Sequence, residues 1–247
     1  MTVAILMPTH NRADTIVDAI MSCIDQREAG WELYVLDDGS TDGTRDVVGE
    51  WHDPRIHYRW MPKHPGNEAG ARNALLKWWD VYTAPLACWL DSDDAMHPDR
   101  IAVQQAYMED HPDIDLCVCP LGSFRPDEVE SVREGYFMEP YFKADPSLYT
   151  ADLATFKGNM CNPTAMFRPT VRAVPYDERM VHGGCDFLWM YTLVQQGYRM
   201  GAVDRQLYYL REHPDRLTRR RAAIDRDLVR ADLDHFYAEI TRMGGTP

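Results

Sequence analysis

Three carboxylates stand within four positions at Asp91-Ser92-Asp93-Asp94, directly behind the apolar run Leu86 to Leu90. Like charges this close repel one another unless something cationic neutralises them. A hard divalent ion such as Mg2+ or Mn2+ prefers oxygen ligands and keeps positions open for phosphate oxygens. An Asp-x-Asp turn therefore suits a metal–diphosphate complex, with Asp93, Asp91 and Asp94 as ligands. A solvated acidic turn capping a helix at Pro98 is the plainer alternative. The buried strand before the turn and the polar turns beside it favour the metal.

A second polar turn, Asp37-Asp38-Gly39-Ser40-Thr41-Asp42-Gly43-Thr44, also follows an apolar run. Counted from Asp38, its first six positions imitate a calcium loop, but the bidentate glutamate required at the twelfth is Gly49, and the calcium reading fails. What remains is a strand-to-helix turn in which Ser40 or Thr41 caps the helix, while Asp37 or Asp38 points into a cleft and accepts the imide N–H of a uracil ring. Pro8-Thr9-His10-Asn11-Arg12 brings a hydroxyl, an amide and a guanidinium to the end of the first strand. Gly70-Ala71-Arg72-Asn73 opens a helix whose N-terminus favours anions, so that Arg72 suits a base edge or a phosphate.

Turns of this kind need strands to hold them. Val3 to Met7, Leu33 to Leu36, Ile56 to Trp60, Leu86 to Leu90 and Ile114 to Val118 have the length and apolarity of buried strands. Between them, helices are expected along Ile16, Ile20, Cys23, Ile24 and Arg27, and over Thr41 to Trp51, Gly70 to Trp79 and Pro98 to Glu109. Such alternation predicts a mostly parallel βαβ sheet, which binds ligands beyond the carboxyl ends of its strands. Three of the polar clusters fall at strand ends on that edge. The alternation stops after about residue 120, and residues 121–150 read as irregular. Further on, Pro163 to Phe167, Tyr198 to Val203 and Leu207 to Leu210 read as strands, Asp186 to Gln196 as a helix stopped by Gly197, and Ala222 to Met243 as a tail helix.

With 45% hydrophobic residues in 247, the chain can bury a substantial core. Its net charge of −13 disfavours nucleic acid and anionic membranes except where positive charge gathers. It gathers between residues 205 and 230, where eight arginines face four acids; a solvated helix face or a patch for an anionic acceptor, through Arg216 to Arg230, would explain it. No apolar run is long enough to span a bilayer, and Met1 to Met7 lacks the features of a secretory signal. The six cysteines lie in apolar stretches without paired CxxC motifs, as buried reduced thiols would, and a cytoplasmic location is expected.

The segments PTHNR, DDGSTDGT, GARN and LDSDD, in this order and at these separations, resemble the inverting family 2 glycosyltransferases of the GT-A fold. The resemblance is close over residues 1 to about 120 and looser over 158–213. It implies an α/β architecture with a Rossmann-like sheet flanked by helices: a nucleotide-sugar-binding half (1–120), an acceptor-side half of the same domain (121–213) and a C-terminal helical tail (214–247). It also implies a nucleotide-sugar donor held by Pro8, Thr9, Asn11, Arg12, Asp37, Asp38, Arg72, Asp91 and Ser92. Family members place a catalytic base at the start of a late helix, usually in a Glu-Asp pair. The matching stretch here is Gly183-Gly184-Cys185-Asp186-Phe187-Leu188-Trp189, so Asp186 takes the role and Cys185 stands in place of the glutamate. A plain helix cap is the competing explanation of Asp186. Tyr209-Leu210-Arg211-Glu212-His213 resembles the family's late Tyr-Arg-x-His segment, with His213 completing the metal shell or donating to the diphosphate.

The expectation is a metal-dependent (Mn2+ or Mg2+) inverting transfer from a nucleoside diphosphate sugar, with uridine favoured, to an acceptor hydroxyl. The acceptor stays open among a glycan, a lipid-linked sugar and a modified DNA base, while Asn159, Cys161 and Asn162 either shape its pocket or are simply loop polarity. Two other readings compete: a nucleotide-sugar-binding module without turnover, and a phosphatase of the haloacid dehalogenase type, whose Asp-x-Asp motif belongs on the first strand. Walker and dinucleotide glycine patterns are absent.

Overall fold

The computed structural model describes residues 1–27, 30–62, 68–80, 84–134, 140–142, 162–181, 184–213 and 226–244. Residues 143–150, Asn159 and Cys161, and the arginines at 216, 219, 220 and 221 lie outside them. Strands β1 (Thr2–Thr9), β2 (Gly30–Asp38), β3 (Ile56–Met61) and β4 (Leu86–Trp89) pair in parallel, β1 lying between β2 and β4. Helices α1 (Ile16–Ile24), α2 (Thr44–Gly49) and α3 (Glu68–Asp80) link them. Strand β5 (Ala95–Met96), α4 (Arg100–Asp110), β6 (Leu116–Val118), β7 (Leu121–Phe124), α5 (Val129–Glu134) and β8 (Pro140–Phe142) come next. Then come β9 (Met166–Phe167), α6 (Cys185–Gln195), β10 (Met200–Ala202), β11 (Tyr208–Arg211) and α7 (Arg226–Arg242).

The main sheet runs β10-β6-β9-β4-β1-β2-β3, and β9 is its one antiparallel member among the described residues. Continuous apolar runs are what a sheet covered on both faces demands. Alternate residues supply the two cores. Ala4, Leu6, Tyr34, Leu36 and Trp89 face α3 and α6, whereas Val3, Ile5, Met7, Leu33 and Cys88 face α1 and α4. The expected strand from Pro163 begins instead as a 3-10 turn, Asn162–Thr164, and leaves only two residues to pair between β4 and β6. A buried polar plug makes this insertion possible. Arg100 donates to the carbonyls of Trp89 and Pro163, each at 2.9 Å, and Gln104 Nε2 donates to the Thr164 carbonyl at 2.9 Å. Backbone groups that a longer ladder would pair are thus satisfied by side chains.

Residues 121–124 and 140–142 are not irregular: β7 and β8 join β5 and β11 in a second sheet, β5-β11-β7-β8. Single-residue register shifts and a two-residue strand leave little periodicity for a sequence to show. Five cysteines (23, 88, 117, 119 and 185) are buried thiols outside any disulfide, and burial pushes the Cys119 thiol up to about 11. Among the described residues, no helix is long and apolar enough to cross a membrane.

Helix α7 docks through Phe236 against Phe187 and through His235, whose Nε2 lies 2.8 Å from Asp177 Oδ2. Burial works to raise the Asp177 carboxyl, but the hydrogen bonds from Arg179 and His235 outweigh it and hold the group well below the usual carboxylate range. A carboxyl depressed in the folded state adds stability that is complete above its unfolded pKa of about 4 and fades as pH falls below that value. Asp177→Asn should therefore melt below the wild type at pH 7, with the gap narrowing steadily as pH falls below about 4. Thermal denaturation across pH checks this, and a pH-independent gap would contradict it.

Candidate active site

The first two strand ends are sewn together by hydrogen bonds. Asn11 adopts φ 52, a left-handed conformation that asparagine tolerates better than most residues. Its N–H donates to Ser40 Oγ at 2.9 Å, and its side-chain oxygen accepts the Thr41 N–H at 2.8 Å. Arg12 N–H donates to Thr44 Oγ1 at 2.9 Å and Ala13 N–H to Asp42 Oδ2 at 3.1 Å. Ser40 and Thr41 therefore bind the neighbouring loop and do not cap a helix; α2 begins only at Thr44, behind Gly43. Of the paired aspartates, Asp37 is fully buried, its oxygens taken by the Ser40 N–H (2.8 Å) and the Tyr58 hydroxyl (2.6 Å). It is a scaffold residue, and Asp38, 8% exposed, is the more accessible of the two. Pro8 is half-buried in register with Leu36, and Thr9 beside it has a buried hydroxyl without a hydrogen-bond partner.

At the carboxyl end of β4 each acidic side chain has its own counterpart. Asp91 Oδ1 receives Arg72 Nη2 at 2.8 Å, and Arg72 also binds Glu68 one helical turn earlier. Arg72 is 1% exposed, with its guanidinium 4.9 Å from the Trp89 ring centroid. Its Nε and Nη2 are engaged by Glu68 and Asp91, whereas its Nη1 is buried without a hydrogen-bond partner. Burial pushes the Asp91 carboxyl up to about 6 even against the pull of Arg72. Asp93 lies between the Arg12 guanidinium and the His213 imidazole, with Arg12 Nε and His213 Nε2 each 3.2 Å from it. Although burial opposes it, the His213 hydrogen bond and the Arg12 charge keep Asp93 below the usual carboxylate range.

Asp94 and Ser92 depart from expectation. Asp94 is 4% exposed and turned inward, its oxygens accepting from the Tyr208 hydroxyl (2.8 Å) and the Arg211 N–H (2.9 Å), so it does not present a metal ligand. Ser92, likewise 4% exposed, accepts the Thr15 hydroxyl at its carbonyl. Among the described residues no group of three or more His, Cys, Asp or Glu side chains is poised to hold a metal alone. A cation that arrives with a diphosphate does not need one, because one or two carboxylates and phosphate oxygens complete its shell. Asp93 and His213, already in contact, with Asp91 nearby, fit that role, and an imidazole nitrogen in the set favours Mn2+ over the harder Mg2+.

Asn73, next to Arg72, looks the other way. Its side chain donates to the Tyr176 carbonyl (3.0 Å) and accepts the Tyr176 N–H (2.8 Å), clamping the segment that leads to α6. Tyr176 stacks on Trp189 of α6 with centroids 4.6 Å apart, and Arg72 lies 6.0 Å over its other neighbourhood. Gly184, at φ 83, is the cap residue of α6, and it provides no side-chain cap. Asp186 is the second helical residue, half-buried and near enough to Tyr176 that its charge adds to the burial that raises that phenol. The cap explanation for Asp186 is thereby removed. Cys185 is buried in the core. A cavity of about 700 Å3 lies behind this segment, lined by Asn73, Tyr176, Trp189, Arg172 and Asp177 among others; it contains none of the acidic-turn carboxylates. Tyr208 escaped the sequence reading because a buried prop has no motif of its own, and Asn73 and Arg211, although inside the GARN and Tyr-Arg-x-His segments, take no separate role there.

The arginine cluster is also thinner than its count suggests. Arg205 pairs with Asp99 at 2.5 Å and Arg211 with Asp18 at 2.6 Å, whereas Arg230 is exposed on α7.

A parallel sheet with an acidic turn at its carboxyl edge, two interlocked loops beside it and a second half inserted through β9 define a glycosyltransferase of the GT-A fold. A family model described as glycosyl transferase family 2 matches residues 4–169, two-thirds of the chain, and the chain belongs to that family. It is 34% identical over 108 residues to the putative teichuronic acid biosynthesis glycosyltransferase TuaG of Bacillus subtilis, covering 43% of this chain and 41% of that protein. It is 38% identical over 106 residues to WfgD of Escherichia coli, a UDP-Glc:alpha-D-GlcNAc-diphosphoundecaprenol beta-1,3-glucosyltransferase, covering 43% and 40%. These matches span about two-fifths of either relative's length. Among solved structures, S. aureus TarS 1-349 in complex with UDP-GlcNAc superposes with a TM-score of 0.70 at 18% identity, over 94% of this chain and 64% of that one. The mannosyltransferase PcManGT of Pyrobaculum calidifontis, in complex with GDP-Man and Mn2+, gives 0.67 at 20% identity, over 99% and 65%. The phosphatase reading falls with the family assignment.

Replacing Asn11 separates its two contributions. Asn11→Ala should lower stability by about 2 kcal/mol, from left-handed strain plus the lost side-chain hydrogen bond, and Asn11→Gly should recover the strain portion. Urea denaturation measures both, and equal losses would refute the conformational part.

Proposed function

We propose that this chain is a metal-dependent inverting glycosyltransferase that moves a hexose from a UDP-sugar to a saccharide hydroxyl. The reading rests on one observation: Asp93, at the carboxyl edge of the sheet, is held 3.2 Å from both Arg12 and His213. Asp186 stands near Tyr176, whose ring centroid lies 6.0 Å from the Arg72 guanidinium that pairs with Asp91. The complexes of TarS with UDP-GlcNAc and of PcManGT with GDP-Man and Mn2+ support a nucleotide-sugar donor and a divalent cation. Asp38, able to accept a uracil imide N–H, is the ground for choosing UDP. Donor contacts are assigned to Pro8, Thr9, Arg12, Asp38 and Asp91, with Asn11 acting through loop geometry.

Asp93 and His213, with Asp91, would hold the Mn2+ or Mg2+ ion. When bound, such a cation supplies Lewis-acid stabilisation of the charge that gathers on a departing diphosphate. Arg12, 3.2 Å from Asp93, adds fixed positive charge on the same side. An alcohol is a poor nucleophile until a base takes its proton as the new bond forms. Asp186 is that base: it accepts the hydroxyl proton while the acceptor oxygen attacks the anomeric carbon and the sugar–phosphate bond breaks on the opposite face, inverting the centre. WfgD's lipid-diphosphate-linked acceptor supports a lipid-linked sugar, and the net charge of −13 disfavours DNA. Cys23, Cys88, Cys117 and Cys119, buried thiols outside any disulfide, support a reducing, cytoplasmic setting.

Asp186→Asn should leave UDP binding within about twofold and cut transfer by about 10²-fold or more, since only proton removal is lost. Turnover by the purified variant equal to the wild type would reject the assignment. Asp93→Ala should abolish the gain in UDP affinity that Mn2+ confers, read by titration calorimetry with and without the metal. An undiminished gain would remove Asp93 from the site.

A further inference from the structure

We infer that β11 is the template on which the acidic turn is built, and that Tyr208 and Arg211 are positioning residues for Asp91 and Asp93. The inference rests on the reading of that turn as the holder of a cation and a diphosphate. The Tyr208 hydroxyl, fully buried, accepts the Asp91 N–H at 3.1 Å and donates to Asp94 Oδ2 at 2.8 Å. It bridges the first and last residues of the turn with one oxygen. Arg211 completes the frame: its N–H donates to Asp94 Oδ1 (2.9 Å) and its Nε donates to the Asp93 carbonyl (2.9 Å). The same guanidinium reaches Asp18 on α1 through Nη2 (2.6 Å) and lies 4.7 Å over the Phe124 ring. It is 4% exposed.

Both side chains are buried, and the Tyr208 hydroxyl and Arg211 Nε and Nη2 are committed to the turn or to its neighbours. Their effect on a ligand is therefore exerted through Asp91 and Asp93. Two carboxylates one residue apart relax away from each other unless their backbone is fixed, and β11 fixes it at Asp91 N, Asp93 O and both oxygens of Asp94. Asp94 is the handle by which the strand grips the turn. Partners that orient metal ligands are worth about 10- to 100-fold in metal affinity when removed.

The test uses the full chain with Tyr208→Phe and Arg211→Lys, UDP as the probe, and calorimetry with and without Mn2+, alongside the melting temperature of each variant. In each variant the gain in UDP affinity conferred by Mn2+ should fall about tenfold or more, while metal-free UDP affinity stays within about twofold. General loosening of the fold would instead lower both affinities together. A folded variant with the wild-type Mn2+ gain overturns the inference, as does a parallel loss of both affinities. Should Tyr208→Phe fail to fold, Arg211→Lys, which keeps the main-chain bond to Asp94 and the positive charge, decides the matter. If the wild type itself shows no Mn2+ gain, the reading of the turn fails and the inference fails with it. If the wild type gains and both variants gain equally, only the template role fails.

Discussion

Crowding of negative charge at Asp91, Asp93 and Asp94 is the constraint around which this molecule is arranged. Three carboxylates at one strand end would repel the chain apart, and separate elements answer them one at a time. Helix α3 sends Arg72 to Asp91, the β1–α1 loop sends Arg12 to Asp93, the residues after β11 bring His213 to the same group, and β11 itself grips Asp94. Segments nearly 200 residues apart thus meet on one turn. Because Asp94 is buried and turned inward while Asp91 and Asp93 keep partial access to the edge, the turn divides its charges between architecture and chemistry.

The second constraint is continuity between the halves. A two-residue strand cannot hold itself between β4 and β6 by ladder bonds alone, and Arg100 and Gln104 supply the missing donors from α4. This insertion ties the segment 162–167 to the main sheet. From there the Asn162–Tyr176 bond, the Asn73 clamp and the Tyr176–Trp189 stack carry the alignment to α6 and Asp186. Adjacent residues of α3 serve opposite sides: Arg72 meets the acidic turn, and Asn73 holds the Tyr176 backbone ahead of α6. A one-residue slip of that helix would disturb both.

The order of strands and helices through residue 118, the parallel sheet, the polar turns at its carboxyl edge and the burial of the cysteines were legible in local apolar runs and turn residues, since each reflects a short-range preference. The helix bearing Asp186 was equally legible, ending before Gly197 at φ 85. The second sheet was not: β5, β7 and β8 are two to four residues long, and their pairing is set by distant partners. Within the site, Asp37 and Asp38 look interchangeable in sequence, as do Asp93 and Asp94, and only the pleat of the strand and the reach of Tyr58 or Tyr208 tell them apart.

Residue types and spacing alone therefore determined that carboxylates, a guanidinium and hydroxyls collect at strand ends of an α/β sheet, because side-chain chemistry and hydrophobic periodicity are local properties. Tertiary structure decided which of those groups face the edge and which are consumed as scaffold. Arg72, Asp37 and Asp94 were assigned by hydrogen bonds to residues 19, 21 and 114 positions away, and such long-range pairings exist only once the chain has folded.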